Sequence, residues 1–143
     1  MPLHTQARHS RKKAHVAFVP KERRGPKSNE PVPTAIFHGV RQKCNEEKLI
    51  LLEEEVRKGT GGYAQCIEIG NGEVSSIFSP MVLQVDEACK KIQEHPIFGN
   101  QEFNVVGLSQ GALIGRYIVE SCDTKHNVRN LITVGGPNNG FDF

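Results

Sequence analysis

The chain has 143 residues, of which 37% are hydrophobic and 24% charged, and it carries a net charge of +2. This composition is ordinary for a single globular domain, and it excludes collagen-like and low-complexity chains. No apolar run reaches the roughly 18 residues that a membrane span needs. No apolar segment of about 7–15 residues follows the basic start either, so neither a transmembrane helix nor a signal peptide is predicted.

The charge is distributed unevenly along the chain. Residues 1–33 contain eight basic and two acidic side chains, a net charge of +6, which leaves −4 for the remainder. This segment has few apolar residues, so it cannot bury enough surface to offset the entropy lost on ordering, and we predict a disordered basic tail. Its basic clusters could bind phosphate-rich partners or direct the chain to the nucleus. Because it lacks interleaved aromatic residues and no recognition fold follows, specific nucleic-acid binding is not predicted.

The cysteines and histidines do not indicate a metal centre. Six His and four Cys occur, and they form neither a CxxC pair nor a tight metal-ligand spacing. No metal and no cofactor are therefore predicted. The four cysteines allow three disulfide pairings, or they remain free thiols in a reducing compartment; they are Cys44, Cys66, Cys89 and Cys122.

Strand-like and helix-like patterns alternate after the tail. Short apolar runs predict buried strands, and apolar residues that recur every three or four positions predict amphipathic helices. Strands are expected over residues 34–37, 64–69, 103–108 and 128–134, and helices over residues 46–58, 81–94 and 112–122, the first of them ending at Gly59. This alternation indicates an α/β fold with a parallel sheet.

Residues 107–111 read Gly-Leu-Ser-Gln-Gly, which matches the pattern G-x-S-x-G. The pattern lies between a predicted strand and a predicted helix, where a tight turn holds a nucleophilic serine above the sheet. Side chains at Gly107 and Gly111 would collide with the neighbouring strand and helix. Ser109 is therefore the candidate nucleophile, and the Gln110 backbone N–H is a candidate oxyanion donor at the start of the helix.

A second oxyanion donor is expected from the loop after the first strand. His38-Gly39-Val40 occupies this loop, and the Val40 backbone N–H is the candidate. His38 is not the expected base, because in this motif the base follows the serine in the chain. We interpret His38 as a residue that shapes the loop.

These segments resemble the palmitoyl-protein thioesterase family in its plant-type form. The resemblance extends from about Thr34 to Pro137, and Arg41-Gln42 departs from it, since the family usually has Gly-Asp there. The matching segments are Phe37-His38-Gly39-Val40, Cys66-Ile67-Glu68-Ile69-Gly70, residues 103–111 and residues 128–137.

The resemblance implies a lumenal α/β-hydrolase of lysosomes or vacuoles that releases long-chain fatty acyl groups from cysteine thioesters of S-acylated proteins. Ser109 would be the nucleophile, and Gln110 and Val40 would supply the oxyanion hole. Cys89 and Cys122 match a family disulfide, with two buried free thiols as the alternative. A cytosolic location is the alternative to the lysosome or vacuole, because no signal peptide is predicted.

The catalytic Asp and His of the family lie beyond the region of resemblance. Asp123 and His126 follow the helix that starts at Ser109, and its rise of about 1.5 Å per residue places them about 20 Å from the serine. Asp142 has no His to orient. We therefore predict that residues 34–143 form the N-terminal half of an α/β-hydrolase domain, truncated after the strand that follows the nucleophile helix.

The predicted function is a serine thioesterase that removes palmitoyl groups from proteins. Its activity is expected to be impaired, because a serine without its base is a poor nucleophile. The alternatives are a non-catalytic hydrolase fragment and a lipase or carboxylesterase of other specificity. Proteins with acyl thioesters are the expected partners.

Overall fold

The computed structural model describes residues 30–126 and 128–140. Four strands form one parallel sheet; they are β1 (Thr34–Phe37), β2 (Ala64–Cys66), β3 (Phe103–Leu108) and β4 (Val128–Val134). Along the sheet the strands follow the order β2-β1-β3-β4, so β1 and β3 lie in the middle. The carboxyl ends of all four strands therefore meet at one end of the sheet, which confirms the predicted parallel arrangement.

Four helices connect and cover the strands; they are α1 (Glu47–Thr60), α2 (Glu73–Phe78), α3 (Met81–Glu94) and α4 (Gln110–Glu120). The structure confirms the predicted bounds of β1, β3, β4 and α3. The sequence patterns did not indicate α2, because a helix of six residues is too short to show a clear apolar periodicity.

Three predicted elements have wrong boundaries: α1 covers residues 47–60 rather than 46–58, β2 ends three residues early, and α4 covers residues 110–120 rather than 112–122. α1 continues through Gly59 and is capped by Gly61, whose φ of 70° suits the left-handed end of a helix. β2 ends at Cys66, and two residues later the Glu68 carbonyl accepts a hydrogen bond from the Lys91 ammonium (2.6 Å) rather than from a neighbouring strand. α4 begins two residues earlier than predicted, since the turn after β3 leads directly into the helix.

Different helices cover the two faces of the sheet. α3 and α4 pack on the face to which Phe37 and Val105 point, and this side holds the larger part of the core. α1 covers the opposite face, where Leu49 packs with Ile36 and Val106. Neighbouring residues of β1 and β3 point to opposite faces, as the period of a strand requires.

β4 is an outer strand and is much less buried than β3. Ile132 and Val134 are each 54% exposed, whereas Val105 on β3 is fully buried. The backbone of β4 thus completes the sheet, while most of its side chains remain in contact with solvent. None of the helices in the described part of the chain is long and apolar enough to cross a lipid bilayer.

Two disulfides link separate segments of the fold. Cys44 and Cys66 tie the loop before α1 to β2, with their Cα atoms 5.5 Å apart. Cys89 and Cys122 tie α3 to the segment after α4, with a Cα separation of 5.6 Å. Both separations lie in the usual range for disulfides.

The predicted basic tail lies outside the described residues except for residues 30–33. Pro33 is buried, and its carbonyl accepts a hydrogen bond from the Asn104 N–H at 2.7 Å. Pro31 and the Val32 carbonyl lie against Gly62. The packed part of the chain therefore already includes the last residues assigned to the tail.

Candidate functional site

Ser109 lies in the turn between β3 and α4, at the carboxyl end of β3. Its φ of 51° and ψ of −120° belong to a region that residues with side chains rarely adopt. Its backbone N–H donates a hydrogen bond to the Val134 carbonyl at the end of β4 (2.8 Å). The serine thus lies in a tight turn between a strand and a helix, which is the arrangement that the pattern G-x-S-x-G predicts.

Close backbone contacts explain the two glycines of the turn. A Cβ added to Gly107 would lie 2.4 Å from the carbonyl oxygen of Gly111, and one added to Gly111 would lie 2.2 Å from the carbonyl oxygen of Phe37. Both distances are far below the roughly 3.5 Å at which non-bonded heavy atoms pack. The turn therefore has no room for a side chain at either position.

The loop after β1 approaches the same turn. A Cβ on Gly39 would lie 3.1 Å from the Ser109 Cβ, and the Gly39 N–H donates to the Gln42 side-chain oxygen at 2.6 Å. Arg41 adopts a φ of 62°, a left-handed conformation that glycine reaches without strain. Arg41 stands at the position where the resemblance described above implies Gly, and it adopts this left-handed conformation despite its side chain.

Two backbone N–H groups are candidates for binding an anion beside Ser109. Gln110 is the first residue of α4, and the N–H groups of a first helical turn have no partner within the helix. The end of the helix at which Gln110 lies also favours negative charge. Val40 follows Gly39, and its N–H donates to no other residue in the part of the chain that the structure describes.

His38 is buried and held by two hydrogen-bond contacts. Its Nε2 lies 2.7 Å from Glu68 Oε1, and its Nδ1 lies 2.9 Å from the Gly39 carbonyl oxygen. The other oxygen of Glu68 accepts a hydrogen bond from the Cys44 N–H at 2.8 Å. His38 therefore joins the loop after β1 to the segment after β2, which agrees with the interpretation that it shapes this loop.

The sequence patterns gave Glu68 no role of its own. It lies 30 positions from His38 along the chain, so no local spacing could indicate the contact.

Nearby, the pKa of the Glu46 carboxyl is held below its usual value, first by a hydrogen bond from the Lys48 side chain and then by one from the Lys43 backbone N–H. Glu46 is therefore ionised where it closes the turn that precedes α1.

α2 lies directly beside the turn at Ser109. The Gln110 side chain donates to the Ser76 carbonyl (3.1 Å), and the Arg41 N–H donates to the Ser76 hydroxyl (2.8 Å). α2 and the start of α3 carry five exposed apolar side chains; they are Val74, Ile77, Phe78, Val82 and Leu83. Phe78 is the most exposed of them, at 78%.

The surroundings of the Ser109 hydroxyl are defined by the described residues alone. None of residues 30–126 and 128–140 forms a hydrogen bond with its hydroxyl. Asp123 and His126 follow α4, and the 11 residues of that helix lead away from Ser109 over about 16 Å. Asp142 lies outside the described residues.

The sequence is similar to a known family over most of its length. The family model described as palmitoyl protein thioesterase matches residues 33–142. Palmitoyl-protein thioesterase 3 of Dictyostelium discoideum is 34% identical over 109 residues, which cover 76% of this chain and 36% of that protein. Palmitoyl-protein thioesterase 1 of Caenorhabditis elegans is 27% identical over 122 residues, which cover 79% of this chain and 39% of that protein.

A fusion protein from Schizosaccharomyces pombe, palmitoyl-protein thioesterase-dolichyl pyrophosphate phosphatase fusion 1, is 31% identical over 119 residues. That match covers 80% of this chain and 19% of the fusion protein. The chain thus spans well under half the length of these curated relatives.

The fold has a counterpart among solved structures. A presumed hydrolase from Agrobacterium vitis S4 superposes with a TM-score of 0.57 over 79% of this chain and 44% of that protein, at 18% identity. The four parallel strands and their helices therefore form part of an α/β-hydrolase fold. Because the family model matches nearly the whole described region, the chain belongs to the palmitoyl protein thioesterase family.

Proposed function

We propose that Ser109 is the nucleophile of a thioesterase that removes long-chain fatty acyl groups from S-acylated proteins. The observation that carries this proposal is the turn at Ser109, where a residue with a side chain holds a φ of 51°. Such strain persists where the surrounding structure enforces it, and it is concentrated at functional sites. Membership of the thioesterase family supports an acyl thioester as the substrate.

In the proposed reaction the Ser109 hydroxyl oxygen attacks the carbonyl carbon of the thioester. The negative charge that develops on the carbonyl oxygen is stabilised by the N–H groups of Gln110 and Val40. The bond from carbon to sulfur then breaks, and the cysteine sulfur leaves and takes up the proton lost by the serine. Water hydrolyses the resulting ester on Ser109 and releases the fatty acid.

We also propose that the acyl chain lies along the exposed apolar side chains of α2 and the start of α3. The contact of Gln110 with Ser76 supports this, because it places α2 beside the turn. Phe78 and Ile77 follow Ser76 directly and are 78% and 43% exposed. Covering these side chains with an acyl chain is favourable by about 0.8 kcal/mol for each methylene group that leaves water.

We further propose that residues 1–143 by themselves carry out this reaction slowly. In support, no described residue forms a hydrogen bond with the Ser109 hydroxyl. A serine protease that loses members of its triad keeps about 10³–10⁴-fold catalysis over water from its oxyanion hole and from substrate binding. We expect activity of this residual kind, with Ser109 acylated faster than the acyl group is released.

We propose a lysosomal or vacuolar location, with the cytosol as the alternative. The two disulfides support the first, because disulfides persist in oxidising compartments and are rare in the cytosol. Alkylation of the protein in intact cells followed by mass spectrometry measures whether the thiols are free. Four free thiols together with cytosolic fractionation would contradict the proposed location.

Hydrolysis of a palmitoylated cysteine peptide by the purified chain tests the proposed activity. We expect slow release of the thiol that disappears in Ser109→Ala and remains in Ser121→Ala, a matched change at the end of the same helix. Equal rates in both variants would refute the role of Ser109. Faster turnover of a short-chain oxygen ester would favour a lipase or carboxylesterase instead.

Labelling with a fluorophosphonate tests whether the serine is reactive at all. We expect one adduct on Ser109, detected by mass spectrometry of the intact chain and its peptides. A folded chain with neither an adduct nor hydrolysis would favour a non-catalytic protein of this family.

Chain-length dependence tests the proposed acyl surface. Phe78→Ala should lower kcat/KM for a palmitoyl thioester by about tenfold, since it removes an apolar contact of about 1.5 kcal/mol, and it should leave a butyryl thioester nearly unchanged. Val119→Ala, at a 46% exposed position on α4, is the control that should change neither substrate. Equal effects of Phe78→Ala on both substrates would contradict the proposed acyl surface.

A further inference from the structure

Three side chains from separate segments bring metal-binding atoms together beside the loop after β1. His38, Cys44 and Glu68 each offer one such atom, and the three atoms lie within 4.8 Å of one another. The Cys66 sulfur is bonded to that of Cys44, so a fourth suitable atom lies at the same place. None of these side chains takes part in the hydrolysis proposed above.

These four residues are of three types, all of which zinc binds in proteins. Zn²⁺ binds cysteine thiolate, histidine nitrogen and carboxylate oxygen at about 2.0–2.3 Å, usually with four ligands in a tetrahedron. His38 is buried, whereas the Glu68 side chain is 35% exposed, so an ion can enter from solvent past the carboxylate. The fold therefore holds both the ligands and a path to them.

In the oxidised protein the sulfurs of Cys44 and Cys66 are bonded to each other and cannot bind zinc as thiolates. The His38 imidazole contacts the Glu68 carboxylate. A thiol or phosphine reductant opens the disulfide by supplying two electrons, and two protons from water complete the two thiols. Zinc then displaces one proton from each thiol, and the neutral imidazole coordinates through whichever ring nitrogen carries no proton. The carboxylate exchanges its contact with the imidazole for one with the metal.

We propose that the Cys44–Cys66 disulfide conceals a zinc site, which opens on reduction and is formed by His38, Cys44, Cys66 and Glu68. The chain would then carry a structural disulfide in an oxidising compartment and a metal ion in a reducing one. This inference concerns binding alone and does not depend on the proposed thioesterase activity.

The second disulfide provides a control within the same molecule. Cys89 and Cys122 undergo the same reduction, but among the described residues no histidine and carboxylate group joins them in a cluster of three. Zinc binding that follows reduction should therefore depend on the first pair of cysteines and not on the second. Serine substitutions separate the two pairs without changing the number of thiols that remain.

The experiment uses the full chain, reduced with tris(2-carboxyethyl)phosphine and freed of reductant under anaerobic conditions. We expect one Zn²⁺ per reduced chain by equilibrium dialysis and none for the oxidised chain. Co²⁺ should give the thiolate charge-transfer and tetrahedral d–d bands that zinc then abolishes. Cys89→Ser with Cys122→Ser should keep the site, and Cys44→Ser with Cys66→Ser should lose it.

Single substitutions test the two ligands that are not cysteines. Changing an outer partner of a metal ligand lowers metal affinity about 10–100-fold, so loss of a ligand itself should weaken zinc binding at least tenfold in His38→Ala and Glu68→Gln. His38→Cys, which keeps a zinc ligand, should restore most of that affinity. Circular dichroism reports whether each reduced variant is folded.

Any of four results would overturn the proposal. The reduced chain could bind no zinc, or it could bind zinc equally well without Cys44 and Cys66. Affinity that is unchanged in 6 M guanidinium or in His38→Ala and Glu68→Gln would show that isolated cysteines suffice. If reduction unfolds the chain, zinc should restore the helical signal because it binds the folded arrangement, and failure to do so would also refute the site.

Discussion

The two ends of the sheet are built by different means. At the amino end, aromatic rings close the fold: Phe98 and Phe103 are almost fully buried with their centroids 5.6 Å apart, and His95 lies 4.4 Å from Phe98. At the carboxyl end, Gly111 lies against the backbone carbonyls of Phe37 and His38, and no room is left there for a Cβ atom. Parallel strands place all their carboxyl ends together, where open α/β sheets bind ligands.

This difference shows that the two ends resist change for different reasons. At the amino end stability comes from the volume of buried side chains, so a smaller residue leaves a cavity. At the carboxyl end the arrangement depends on the absence of Cβ atoms and on unusual φ values, so a larger residue is the damaging change. The following predictions test this contrast, from the largest expected effect to the smallest.

Phe98→Ala should lower the free energy of unfolding by about 3–5 kcal/mol, because it removes a fully buried ring from the amino end. Phe78→Ala is the same substitution at a position that is 78% exposed, and it should change stability by no more than about 0.5 kcal/mol. Urea unfolding of both variants measures the difference. Similar losses would mean that the aromatic cluster does not hold the amino end together.

Gly111→Ala should destabilise the chain by about 3 kcal/mol, since the new Cβ would meet the backbone of Phe37. Gly59→Ala is the matched control within α1, where a Cβ has nothing within 4 Å. It should stabilise the chain by about 0.5–1 kcal/mol, because alanine favours helix more than glycine does. Thermal unfolding compares the two, and a stable Gly111→Ala would show that the turn can open.

Ser109→Gly and Arg41→Gly should each stabilise the chain by about 1 kcal/mol, because glycine relieves the strain of a positive φ. The two changes differ in their effect on function. Ser109→Gly should abolish thioester hydrolysis, whereas Arg41→Gly should leave it within about threefold of the unchanged chain. Loss of stability in both variants would contradict the view that strain is stored at this end of the sheet.

Stability should decrease modestly as the pH falls below 6.5, through His95 at the amino end. Burial lowers the pKa of this histidine from its ordinary value of 6.5. Its Nδ1 also accepts a hydrogen bond from the Ile97 N–H at 3.1 Å, which a proton on that nitrogen would prevent. In the unfolded chain His95 has its ordinary pKa of 6.5, whereas in the folded chain its pKa is lower. Between these two pKa values the unfolded chain binds more protons than the folded chain, so stability is lost as the pH falls from 6.5 toward the pKa of the folded state.

Urea unfolding midpoints at pH 7.5 and pH 5.5 measure this effect, and His95→Asn should reduce the difference between them. A pH dependence that His95→Asn leaves unchanged would assign it to other groups.

The sequence by itself determined the sheet and the position of the turn. Apolar runs gave the bounds of β1 and β3, because a strand buried between two layers needs apolar residues at nearly every position. Gly107 and Gly111 marked the turn, because the pattern G-x-S-x-G around Ser109 is contained in five consecutive residues. A sequence displays such patterns directly, although the atom that a side chain at Gly111 would meet belongs to the distant Phe37.

Only the tertiary structure decided which distant segments meet. The contact of His38 with Glu68 spans 30 positions, the pairing of Cys44 with Cys66 spans 22, and Gln110 reaches α2 across 34. No periodicity records such contacts, because they depend on how β1, β2 and β3 lie side by side rather than on local spacing. For the same reason the cluster of His38, Cys44, Cys66 and Glu68 could not be found by searching the sequence for metal-ligand spacings.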